Sequence, residues 1–209
     1  MPSAPSSSRP VLVLATLNPH KGRELLALLG TVPFQIKLLS EFPGAQLLEE
    51  TGRTYAENAL VKARTAARLT SALALGDDSG LEVDSLGGAP GLHTARFGGP
   101  SLSDRERWEL LLERLRDVPL ARRTARFRCV IALAGGALGE KIVEGVAEGV
   151  IADAPRGDRG FGYDPVFFYP PLGRTFGELA DEEKARVSHR GLALASARRL
   201  LGGPSVSGC

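Results

Sequence analysis

Hydrophobic and polar positions along this chain divide it into strands and helices before any chemistry is considered. Val11 to Ala15 is an unbroken apolar run and predicts a buried strand. It leads directly into Thr16-Leu-Asn-Pro-His-Lys21 and a leucine-periodic segment that predicts a helix. Asn18 is placed to cap that helix, Pro19 suits its first position and Gly30 stops it. Strand, polar turn and helix start, in that order, point helix N–H groups at an anion. Thr54-Tyr-Ala-Glu57 has capping-box spacing and opens a second helix, where Ala56, Ala59, Leu60, Ala63 and Ala67 keep the apolar period to about Leu69. Asn58, Lys62 and Thr65 share its opposite side.

Leu73 to Gly76 predicts a short strand running into Asp77-Asp-Ser-Gly80, and Leu81 to Val83 another. Ser103 and Glu106 frame the start of a third helix carrying Trp108, Leu111, Leu112 and Leu115. Phe127 to Ala134 and Ile142 to Ile151, joined across Gly135-Gly136, predict an antiparallel hairpin, and Val166 to Tyr169 a further short strand. From about Glu178 to Leu201 the pattern is helical, with a break near Ser188 to Gly191. A strand–helix opening followed by a later hairpin predicts a mixed-sheet α/β protein with an inserted or second lobe.

A length of 209 residues allows one large domain or two small lobes. With 43% hydrophobic and 24% charged residues, the composition excludes collagen-like, wholly disordered and coiled-coil chains. The longest apolar runs, Val11 to Ala15 and Cys129 to Leu138, are far shorter than the roughly 18 to 20 residues a spanning helix needs, so no membrane partner is expected. A net charge of +2 argues against a nucleic-acid coat protein or a polybasic membrane binder. The two cysteines, Cys129 and Cys209, make neither a disulfide framework nor a metal cage, which suits a reducing, cytoplasmic setting. Residues 1–10 read as a flexible tail, 11–201 as the folded unit and 202–209 as a second tail.

Glycines gather around Gly76 to Gly99 and Gly145 to Gly162, interleaved there with acidic, basic and aromatic residues, as in binding loops. In Asp77-Asp-Ser-Gly80, neighbouring carboxylates repel unless a cation or proton sits with them, which suits magnesium; a solvated turn is the alternative. Gly160-Phe-Gly-Tyr-Asp-Pro165 offers an aromatic face for a planar base and a carboxylate for ring N–H groups, or else a hairpin corner filling the core. Glu182 to Arg190 sets Lys184, His189 and Arg190 around a helix break, either facing a ligand or as a solvated face. The Arg122 to Arg128 run reads as a nucleic-acid candidate or as a connection entering an amphipathic strand. Walker and dinucleotide glycine fingerprints are absent.

Taken in order, Thr16-x-Asn18-x-x-Lys21, Glu49-Glu-Thr-Gly52, Asn58-Ala-x-x-Lys62-Ala63, Asp77-Asp-Ser-Gly-Leu81, Gly88-x-Pro90-Gly91-x-x-x-Ala95-Arg96, Gly160-Phe-Gly-Tyr-Asp-Pro165 and Ser188-His-Arg190 resemble the signature of the inosine/xanthosine triphosphate pyrophosphatases. The resemblance runs from about Val11 to Leu201, with Thr94 standing where Ser is common and Gly76 where Ala is common. It implies an α/β fold with an elongated mixed central β-sheet flanked by helices, two lobes and the active-site cleft between them. It also implies a homodimer that uses Mg²⁺, or Mn²⁺, to hydrolyse dITP, ITP or XTP to the monophosphate and pyrophosphate. Carried over by position, Thr16, Leu17, Asn18, Pro19, His20 and Lys21 would hold phosphates, and Glu49 with Asp78 would bind the metal. Asp78 would also accept the proton of the attacking water. Ser79, Phe161, Gly162, Tyr163, Asp164, Lys184, His189 and Arg190 would contact the nucleotide, with Lys62 and Asp77 in support. The rival readings are a Maf-like pyrophosphatase of modified pyrimidine nucleotides and a nucleic-acid-binding module; the first reading expects no stable nucleic-acid binding.

Overall fold

A computed structural model describes residues 9–46 and 51–203 of the chain. Its elements are β1 (Val11–Leu14), α1 (Pro19–Leu29), β2 (Gln35–Leu38), α2 (Tyr55–Thr70), β3 (Leu73–Val83), α3 (Asp104–Arg114), β4 (Thr124–Ala134), β5 (Lys141–Ile151), β6 (Phe167–Tyr169), β7 (Arg174–Thr175), α4 (Asp181–Val187) and α5 (His189–Leu200). All the strands join one seven-stranded sheet in the order β2-β1-β3-β4-β5-β6-β7. β1 pairs in parallel with β2 and β3, and every pairing from β3 to β7 is antiparallel, so the sheet is mixed as expected. Among the described residues no helix is long and apolar enough to cross a membrane.

The local rules hold where capping decides. The Asn18 side chain accepts from the His20 and Lys21 N–H groups at the start of α1, with Pro19 beside it, and Ser103 and Glu106 close a capping box on α3. Ser188, in extended conformation, ends α4 and caps α5 by accepting from the Gly191 N–H. Two elements, β2 and β7, were not anticipated; both are short strands that depend on pairing partners.

The main departure is at Asp77-Asp-Ser-Gly80. The expected turn between two short strands is instead the middle of one eleven-residue strand, in which Asp77 pairs with Ile131, Asp78 with Val130 and Ser79 with Cys129. Local turn preference loses to a ten-pair antiparallel ladder with β4, because each buried backbone N–H and C=O must find a partner.

The period of two along β3 sorts its residues onto two covered faces. Leu73, Leu75 and, across the sheet, Leu12, Leu14, Ile131 and Leu133 pack with Leu25 and Leu29 of α1 and Ala193, Leu194 and Ala197 of α5. Farther along that face Leu81, Val83, Ala125 and Phe127 join a second cluster with Leu111 of α3, Leu115 just after it, Phe167 and Phe176. Asp77 and Ser79 lie on β3 between the residues of these two clusters. On the reverse face Ala59 and Ala63 of α2 pack on Val130, Ala132 and Ala134.

Two glycines let helices approach the sheet closely. A Cβ at Gly76 would sit 2.2 Å from the Ala59 carbonyl oxygen of α2, and one at Gly145 would sit 2.2 Å from the His189 carbonyl oxygen and 2.4 Å from the Ala193 nitrogen of α5. Both obstacles at Gly145 are backbone, so relief requires moving α5. Gly145→Ala is expected to lower unfolding stability by about 1–3 kcal/mol, read as a lower urea midpoint at unchanged slope; an unchanged midpoint would show that α5 shifts without cost.

Candidate active site

Because successive side chains of a strand point to opposite faces, Asp77 and Asp78 do not share one environment. The two carboxylates therefore meet different cations. Asp77 faces α1 and α5: the Lys21 Nζ lies 2.7 Å from its Oδ1, and Oδ2 accepts from Arg190 Nε at 3.2 Å and from the Cys129 thiol at 3.0 Å. Asp78 faces α2, where Lys62 Nζ donates to Oδ1 at 2.8 Å and Asn58 Nδ2 to Oδ2 at 3.1 Å. Lys62 also donates to the Asp77 carbonyl at 3.1 Å. Burial by itself would push the Asp77 carboxyl up, but the charges of Lys21 and Arg190 overcome it and hold that carboxyl well below the usual range.

Arg190 is the hub of the cleft. Its remaining nitrogens reach Glu24 at 2.6 Å and Ser79 Oγ at 2.7 Å. Glu24 also lies 3.8 Å from Lys184, whose Nζ donates to Asp164 at 2.6 Å. The Asp164 carboxylate turns back to accept the Phe161 N–H at 2.8 Å. Positive and negative groups therefore alternate from Lys21 through Asp77, Arg190, Glu24 and Lys184 to Asp164. Burial pushes the Asp164 carboxyl up, against the pull of Lys184. The Phe161 ring is flanked by Lys184 and Arg190, 5.1 and 5.7 Å from its centroid. His189 stacks on Phe127 at 4.6 Å and 9°.

Three cavities open along this network: one of about 530 Å³ lies on the outer side of Glu24, Phe161 and Lys184, and two others adjoin at Asn18 and Lys21. The larger of the adjoining pair, about 380 Å³, gathers Asn18, His20, Lys21 and Ser79 on one side and Phe161, Gly162, Tyr163 and Asp164 on the other, with Lys184, His189 and Arg190 at its back. The smaller, about 230 Å³, is walled by Thr16, Leu17, Lys62 and Asp77 and shares Asn18 and Lys21 with the larger. Pro19 lines neither and serves as the first residue of α1. Asp78 lies behind Lys62, and Glu49 lies outside the described residues.

The helix start needs one correction. The His20 and Lys21 N–H groups are taken by the Asn18 side chain and the Gly22 N–H by the Asn18 carbonyl, so these donors are used within the chain. Attraction for an anion there falls to the Lys21 ammonium. The arginine run is likewise occupied: Arg126 pairs with Asp84 and Glu148, Arg128 with Glu82 and Glu144, and Arg123 is buried against the Val118 and Ala152 carbonyls. This is the amphipathic-strand alternative.

Asp104 and Arg107 also line the larger of the two adjoining cavities, and sequence reasoning missed them together with Glu24 and Cys129. The helical spacing of Glu24 from Lys21 was the one available signal for that residue.

Residues 12–200 match the model of the Ham1 family. The chain is 48% identical to a dITP/XTP pyrophosphatase of Geobacillus kaustophilus, over 88% of this chain and 90% of that protein. It is 50% identical to one from Desulforamulus reducens, over 91% and 94%. Among solved structures, a HAM1 protein from Coxiella burnetii superposes with a TM-score of 0.84 at 42% identity, covering 92% of this chain and 98% of that one. The Staphylococcus aureus Ham1 protein gives 0.83 at 36%, with the same coverage.

Burial, reinforced by Arg190 and Lys184, holds the His189 imidazole well below its ordinary value of 6.5. The folded chain keeps this ring neutral while the unfolded chain protonates it as pH falls below about 6.5. Stability should therefore drop below that pH by up to about 1.4 kcal/mol per pH unit from this group alone. Denaturant titrations between pH 7.5 and 5 should show the slope in the wild type and a flatter curve in His189→Gln; equal slopes would refute the assignment.

Proposed function

Since this chain belongs to the Ham1 family, we propose that it hydrolyses non-standard purine nucleoside triphosphates, dITP, ITP or XTP, to the monophosphate and pyrophosphate, clearing them from the nucleotide pool. The observation that carries this reading is the pair of cavities joined at Asn18 and Lys21, one walled by aromatic and base-suited groups, the other by lysines beside two buried carboxylates.

The nucleobase occupies the larger cavity and stacks on Phe161. Ser79, Gly162, Tyr163, Asp164, Lys184, His189 and Arg190 surround the nucleoside. A cavity built from fixed donors and acceptors rejects the wrong base edge by leaving buried groups unpaired, worth roughly 10⁴-fold. The triphosphate runs past the Thr16–Lys21 segment into the smaller cavity, where Lys21 and Lys62 offset its charge.

Asp78 accepts a proton from the water that attacks the α-phosphorus. The new P–O bond forms as the bond to the bridging oxygen breaks, and pyrophosphate leaves with that oxygen. Lys62 and Asn58 hold the Asp78 carboxylate in place for this step. Asp77 fixes Lys21 and Arg190 between base and phosphates.

The donor set suits a hard divalent cation. Magnesium takes one or two carboxylates and leaves its other positions to water and phosphate oxygens. No three His, Cys, Asp or Glu side chains converge among the described residues; the Asp78 carboxylate is joined at 2.8 Å to Lys62, which lines the smaller cavity. Asp78 with Glu49 would hold Mg²⁺ or Mn²⁺, which when bound neutralises phosphate charge and polarises a phosphoryl oxygen. The homodimer belongs to this same reading.

A pyrophosphate-release assay over dITP, XTP, dATP, dGTP and dUTP decides the function. Preference for dITP or XTP is expected, whereas preference for a pyrimidine would favour a Maf-like activity and no turnover would remove the proposal. Asp78→Asn should reduce kcat by about 10²- to 10⁴-fold while leaving KM within a few-fold; near-normal turnover would exclude Asp78 as the base.

A further inference from the structure

Two hydrogen bonds tie the Gly160 to Asp164 loop to the opposite wall of the larger cavity. Tyr163 Oη donates to the Thr94 carbonyl at 3.1 Å, and the Gly162 N–H donates to Asp104 Oδ2 at 2.8 Å. Asp104 has no part in the mechanism above. It is the first residue of α3, and its side chain is 57% exposed, so it adds little to the core.

It is nevertheless aimed. Arg107, one turn along α3, lies 3.5 Å from the Asp104 carboxylate, and its own guanidinium is buried and donates to the Phe97, Gly99 and Leu102 carbonyls. A guanidinium fixed by three backbone acceptors presents one face, and the carboxylate in front of it is held by charge as well as by the helix. On the other side of the bond, Gly162 sits at φ +61°, in the left-handed region where glycine has most freedom. The Gly162 N–H to Asp104 bond therefore holds the loop next to Phe161, alongside the Asp164 bond to the Phe161 N–H and the Tyr163 bond to Thr94.

We propose that Asp104 is a positioning residue for base recognition: by accepting the Gly162 N–H it sets the pitch of the loop that presents Phe161 to the nucleobase. This rests on the pyrophosphatase reading given above.

Steady-state kinetics and amide exchange test it together. Asp104→Ala should raise KM for dITP about 5- to 10-fold with kcat within about twofold. Asp104→Asn, which keeps an oxygen acceptor, should recover most of the loss. Inhibition by inorganic triphosphate, which has no base, should stay the same. An unchanged KM, no recovery in Asp104→Asn, or triphosphate inhibition weakened in the same proportion would overturn the role. Hydrogen exchange of the 160–164 segment should be faster in Asp104→Ala than in the wild type, and equal rates would overturn the anchor itself. That arm does not depend on turnover: a wild-type protein inactive on dITP would refute the proposed function while exchange still judged the contact.

Discussion

The site depends on the two-residue period of β3. Asp77 and Asp78 are neighbours in sequence, yet strand geometry sends one carboxylate towards α1 and α5 and the other towards α2. Had the segment been a turn, both charges would have met the same solvent and the same cations. As strand positions they serve two structures at once: one organises the cations of α1 and α5, the other is presented to the lysine of a helix on the reverse face.

Those faces are brought close by what is missing from two residues. Gly76 admits α2 and Gly145 admits α5, each at a distance that a Cβ would forbid. The approach of α2 brings Asn58 and Lys62 within hydrogen-bonding reach of Asp78, and the approach of α5 brings Arg190 to Asp77 and Ser79. Helix packing and site geometry are thus the same constraint.

The alternating row of charges from Lys21 to Asp164 is not explained by stability. Burying ions costs several kcal/mol each, well-made pairs roughly repay that cost, and an apolar replacement of similar shape is often as stable. Removing one member, however, strands its partner at a cost of about 3–5 kcal/mol. Such a row is costly to break, and it runs along both cavities that meet at Lys21. Glu24 is its middle link, joining Arg190 at 2.6 Å to Lys184 at 3.8 Å.

Whatever depended on neighbours in sequence was legible from the sequence. The apolar run of β1, the Asn18 and Ser103 caps, the period of α2 and the break at Ser188 are set by contacts a few residues apart, as were the motifs that collect the cleft. Whatever depended on distant partners was not. Asp77 to Gly80 has the composition of a turn, and only the β4 ladder makes it a strand. Arg190 finds Glu24 across 166 positions, Gly162 finds Asp104 across 58 and Cys129 finds Asp77 across 52. Residue type and spacing determined which groups this protein has for its chemistry; the tertiary fold decided which of them face one another, because sheet pairing and helix docking join segments whose separation carries no local signal.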